Sequence, residues 1–193
     1  MNINNTVHSL FEDGLIGIGL NPTSAQSKMS SATNLIDLLH DGFYIVFLLK
    51  QQYIPSNVDE FRDKILNLLN HFENQARKLQ FSVDDIHDAK YAYCALLDET
   101  IVTQQSAQFF DLQNNWMISP LQLSLFGSQL AGYRFFEILE FLRSQGKDRL
   151  AALEVFHYCM LLGFYGKFRI ESIENLNHLV IRISDEIDFL KGK

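Results

Sequence analysis

Two adjacent carboxylates, Asp98 and Glu99, sit inside the apolar stretch YAYCALLDETIV that runs from Tyr91 to Val102. On a helix, Asp98 has Cys94, Ala95, Ile101 and Val102 three and four positions away, and Glu99 has Ala95, Leu96, Val102 and Thr103. At least one carboxylate must therefore point toward apolar surroundings. An ion placed there costs several kcal/mol unless N–H donors or a cation satisfy it. Any fold built on this helix must bring such groups to it from elsewhere in the chain. Two readings stay open and are compatible. The carboxylate caps a neighbouring helix or pairs with an arginine, or it forms the polar floor of a groove between lobes that receives a partner. Joint catalysis is a poor reading, because adjacent helix positions diverge by about 100° and cannot flank one bond.

The stretch belongs to a chain whose apolar residues keep a 3.6 period from Asn34 onward. A first helix is expected over 33–52, with Leu35, Leu38, Leu39, Gly42, Ile45, Val46 and Leu49 on one side. Pro55 ends it, and Ser56 or Asn57 can cap a second helix whose apolar face is Val58, Phe61, Ile65, Leu68, Leu69, Phe72, Ala76 and Leu79. Ser82 with Asp85 resembles a capping box for a third helix over 83–104. The polar, aromatic residues 105–115 read as a loop with at most one helical turn. Ser119-Pro120 opens a short helix to Phe126, and further helices follow over 133–143, 148–162 and 171–190. No strand-like alternation competes. The fold class expected is all-α, in three parts: a poorly ordered segment 1–31 with the patch Leu15–Leu20, a first helical bundle 32–110 and a second 111–193.

Composition removes several function classes. A net charge of −7 with no basic block argues against nucleic acid or an anionic membrane as a partner. The N-terminus lacks a basic region before its apolar residues, so it does not read as a signal peptide. The longest apolar run, Phe43–Leu49, is far below the roughly 20 residues a membrane-spanning helix needs. Cys94 and Cys159 lie inside helical patterns, which suits buried thiols in a reducing compartment.

Three stretches of the sequence have the outline of a chemical motif. In GFYGKFR, Gly163–Arg169, the Gly166-Lys167 pair does not make a phosphate loop: the spacing is wrong, Phe168 replaces Ser/Thr, and a helix precedes it. Gly163 and Gly166 suit a tight turn with positive φ, and Lys167 and Arg169 become candidate partners for Asp98 or Glu99. Glu154 and His157 form a Glu-x-x-His pair, the spacing of di-metal helical oxidoreductases, with Asp84 to His87 as the nearest second copy. Such a site needs two of these motifs plus two further glutamates, the second copy here sits at a helix start, and His157 also lines up with the core residues Leu150, Leu153, Met160 and Phe164. Gly14, Gly17 and Gly19 do not match a dinucleotide fingerprint, and nothing nominates a hydrolytic nucleophile.

Three blocks together carry a resemblance. KYAYCALLDE (Lys90–Glu99), FFEIL (Phe135–Leu139) and LEVFHYCMLLGFYGKFR (Leu153–Arg169) occur in the order and spacing of the DotU family. Its members are called TssL in type VI secretion systems and DotU or IcmH in type IVb systems. The resemblance implies two packed three-helix bundles forming a hook-like body on the cytoplasmic face of the bacterial inner membrane, with a C-terminal membrane anchor beyond residue 193. It implies a structural docking subunit, not an enzyme, that needs no cofactor and links the membrane complex to cytoplasmic baseplate proteins. An IcmF/TssM-type inner-membrane protein is the expected partner, in a type VI system or alternatively a type IVb one. The isolated domain is expected to be a monomer or weak homodimer. The candidate partner-binding or inter-lobe residues are Tyr91, Asp98, Glu99, Lys167 and Arg169, with Gly163 and Gly166 as the turn and Trp116 as a loop contact.

Overall fold

Helix caps and apolar stripes fix the architecture from the first described residue. The computed structural model describes residues 34–128 and 130–192. The expectations for segment 1–31, including Leu15–Leu20 and the three N-terminal glycines, lie outside the described residues. Asn34 accepts the Asp37 N–H at 2.8 Å and starts α1 (Leu35–Leu38), and α2 follows at once (His40–Lys50). The single helix expected here is thus kinked at Leu39. Its N–H is shared between the carbonyls of Leu35 and Ile36, a tightened turn that keeps Leu39 fully buried. In α3 (Val58–Lys78) Asn57 accepts the N–H groups of Asp59 and Glu60. Acidic residues in its first turn and basic ones in its last complement the helix dipole. Ser82 caps α4 (Val83–Val102), accepting the Asp85 N–H at 3.0 Å and donating to the Asp85 carboxylate at 2.7 Å.

Helix α4 is the axis of the molecule. Every residue from Tyr91 to Asp98 is buried, so this stretch has no solvent face. Such a helix must be wrapped on all sides. It is, by α2, α3, α5 (Phe110–Ile118), α6 (Leu121–Phe126), α7 (Ala131–Gln145) and α8 (Leu150–Leu161). The last helix, α9 (Ile173–Lys191), is capped by Ser172 and packs on α8. Helix α8 also lies against α1, so one buried cluster links early and late parts of the chain. The result is an all-helical, compact, hook-like body, and no strand occurs among the described residues.

Residues 105–115 depart from expectation. A 3₁₀ turn, Ala107–Phe109, leads directly into α5, so this stretch is mostly helical. Phe109, Leu112 and Trp116 do carry a helical stripe, and all three are buried. The polar residues between them dilute it. The Gln113 side-chain amide then donates to the carbonyls of Ile101, Val102 and Gln104, closing the end of α4. Among the described residues, no helix is long and apolar enough to cross a membrane.

Candidate functional site

Asp98 has only 6% of its surface exposed and lies on the side of α4 facing α5 and α6. Its Oδ1 accepts the Trp116 indole N–H at 2.7 Å and the Leu121 N–H at 3.0 Å. Its Oδ2 accepts the Gln122 N–H at 3.0 Å. Leu121 and Gln122 open α6, whose own N-cap position holds Pro120 and supplies no side-chain acceptor. Asp98 is therefore an N-cap delivered from another helix, placed where the dipole of α6 favours a negative charge. Burial pushes its carboxyl above the ordinary range, and the bonds from Gln122, Trp116 and Leu121 and the charge of Arg62 pull it part of the way back. Arg62 stacks its guanidinium 4.3 Å from the centre of the Trp116 ring and donates to the Ser119 carbonyl at 2.7 Å. Trp116 is completely buried, a core residue of α5 where a loop contact was expected.

Glu99 points about 100° away and serves a different segment. Its two oxygens accept the N–H groups of Tyr165 and Gly166, each at 2.8 Å, and Arg169 donates to it at 3.0 Å. The acceptor sits just before the 3₁₀ turn Gly166–Arg169, so this carboxylate too satisfies backbone donors at the start of a helical turn. Gly163 and Gly166 both have positive φ, 88° and 50°. At Gly166 an added Cβ would lie 2.9 Å from the Gly132 carbonyl oxygen, a backbone atom that cannot easily retreat. Burial lowers the pKa of Lys50, whose ammonium lies 2.8 Å from where a Cβ on Gly163 would be; the charge of Glu99 opposes that shift.

Of the predicted residues, the structure gathers Glu99, Arg169 and Gly166 in one place, and Asp98 with Trp116 in another. Lys167 joins neither. Its ammonium lies 5.3 Å from the centre of the Phe168 ring and 5.7 Å from that of Phe136, and no carboxylate among the described residues pairs with it. Tyr91, two turns before Asp98, faces a separate groove. Sequence reasoning missed Arg62 and Lys50, whose helices carry no signal of where their charges go. It also missed Arg149, which pairs with Asp85 at 2.7 Å and Asp88 at 2.6 Å and ties the start of α8 to the start of α4.

The di-metal reading finds no donor set. Glu154 is ion-paired with Lys191, and no group of three or more His, Cys, Asp or Glu that could hold a metal occurs among the described residues.

Residues 34–193 match the family described as type VI secretion system protein DotU. The cytoplasmic domain of TssL from Acinetobacter baumannii is 75% identical, with a TM-score of 0.81, over 82% of this chain and 99% of that one. T6SS SciP/TssL from enteroaggregative Escherichia coli 042 shares 21% identity and a TM-score of 0.62, over 70% of this chain and 76% of that one, a likeness of fold alone. Among curated proteins there is no match.

Proposed function

We propose a role that proceeds from one premise: this chain belongs to the DotU family of type VI secretion system proteins. It is a structural docking subunit of the secretion membrane complex, not an enzyme. In finer terms, it stands on the cytoplasmic face of the inner membrane, holds an IcmF/TssM-type membrane protein and offers its helical body to cytoplasmic baseplate proteins. The 75% identity with a TssL cytoplasmic domain supports the type VI system over the type IVb alternative.

One observation carries the mechanical side of this role. Adjacent carboxylates on the central helix each cap a different distant segment, Asp98 the start of α6 and Glu99 the turn at Tyr165 and Gly166. The pair pins two parts of the second half of the chain to one rigid axis. Both carboxylates have their oxygens occupied by protein donors, which favours an inter-lobe brace over a floor that waits for a partner. A docking subunit must hold its surfaces in fixed relation, and a brace does so. Co-purification of the membrane protein with Asp98→Ala and Glu99→Ala variants tests this reading. Partner yield should fall in proportion to the loss of folded protein. Lost partner binding by a fully stable variant would contradict it.

A further inference from the structure

Helices α2 and α8 both rest on α4 and form a seam held at two places. The Phe43 ring meets the Tyr158 ring edge-on, with 4.8 Å between centres, and the Lys50 ammonium lies beside Gly163. Phe47 and Leu161 fall between those two contacts, and each leaves more than half of its surface in water, 51% and 57%. Tyr44, one turn before Phe47, is also exposed and stacks on it, the rings 6.2 Å apart and 17° from parallel. Single exposed apolar side chains are ordinary. Two stacked rings and a leucine on one seam form a patch, and a patch marks a contact surface.

One end of this patch is positive. Lys50 closes it, and no carboxylate among the described residues pairs with that ammonium. The charges that act on it are Glu99 and Arg169. Glu99 already accepts from Arg169 and from two backbone N–H groups. Two cations therefore share one committed carboxylate, which leaves an excess of positive charge beside the apolar surface.

Charge and reach select the occupant. Residues 11–20 read FEDGLIGIGL, two adjacent carboxylates, Glu12 and Asp13, followed by an apolar run over 15–20. The patch offers the complement, a cation next to apolar surface. Other exposed rings do not. Phe110, Phe141 and Phe189 each adjoin an acidic residue, Asp111, Glu140 and Asp188, and Tyr133 adjoins Arg134, whose charge Glu137 offsets one turn on. Residues 21–33 connect the segment to Asn34 and can span up to about 45 Å, whereas α1 and α2 together measure about 24 Å. A short tether holds the segment at an effective concentration on the order of millimolar, so a small patch is enough to capture it.

We infer that residues 11–20 dock on the body of their own chain, Glu12 and Asp13 at Lys50 and the run 15–20 over Tyr44, Phe47 and Leu161. This contact is internal to the chain and does not depend on its role in secretion. The test places benzoylphenylalanine at position 16 of the full chain, irradiates the purified protein in dilute solution and sequences the cross-linked peptides by mass spectrometry. Expected is a cross-link within one chain, to the peptide carrying Tyr44 and Phe47 or to the one carrying Leu161. Its yield should fall several-fold when Glu12→Lys and Asp13→Lys are combined. Phe47→Ser should lower it as much, and that change to a half-exposed side chain should leave the melting temperature within a few degrees of wild type. Cross-links to any other part of the body, to a second copy or to nothing overturn the inference, as does a yield indifferent to either variant.

Discussion

Asp98 and Glu99 are neighbours in sequence and do the same work by different physics. Asp98 is desolvated and held by three N–H donors, with a cation nearby but not in contact. Glu99 is less enclosed, its side chain 15% exposed, and is held by two backbone N–H groups plus Arg169, itself 46% exposed. A buried anion without its own ion pair depends wholly on preorganised dipoles, so losing it strands those dipoles. An anion at the surface shares its load with water. The lesson is that burial, not formal charge, decides which of two adjacent carboxylates the fold cannot lose.

That contrast can be broken at graded points. Asp98→Ala leaves the Trp116, Leu121 and Gln122 donors unpaired in the core and should cost about 3–5 kcal/mol. Thermal melting should show a fall of roughly 10 °C at this chain length. Glu99→Ala strands only Tyr165 and Gly166, which water can reach more easily, and should cost about 1–3 kcal/mol in a urea titration. Arg169→Ala removes a half-exposed cation and should cost below about 1 kcal/mol, with most of that gone in high salt. Equal losses for Asp98→Ala and Arg169→Ala would erase the distinction.

Acid sharpens the same comparison through a third carboxylate. The hydrogen bond from Arg143 holds Glu186 below its ordinary 4.5. A lowered folded pKa stabilises the protein above the unfolded pKa, and that contribution is lost as pH falls through the folded value. Asp98 has the opposite sign. Its raised pKa means that ionisation opposes folding, so its contribution falls as pH rises through its titration. Stability measured from pH 7 down to 3 should fall less steeply in Glu186→Gln than in the wild type, and a parallel pair of curves would contradict the assignment.

The anomaly at Asp98 and Glu99 was legible in the sequence because an apolar helix has no use for carboxylates without partners. The all-helical fold was legible in the 3.6 apolar period that runs from Asn34 onward, and the DotU resemblance in three blocks, the first of which contains that anomaly. The partners were not. Asp98 is satisfied by groups 18 to 24 residues downstream, in a stretch whose helical stripe of Phe109, Leu112 and Trp116 is masked by glutamines and asparagines. The glycine-bounded turn announced a cation for Asp98 or Glu99 but could not say which cation meets which carboxylate. Side-chain direction in the 3₁₀ turn sends Arg169 to the carboxylate and Lys167 to the aromatic rings.

The claim that the two carboxylates brace separate segments is tested most directly by residue-resolved amide hydrogen exchange on Asp98→Asn and Glu99→Gln. The first substitution should speed exchange at Leu121 and Gln122 and leave Tyr165 and Gly166 near their wild-type rates, and the second should do the reverse. Unchanged exchange at all four amides, or the same amides responding to both substitutions, would contradict it.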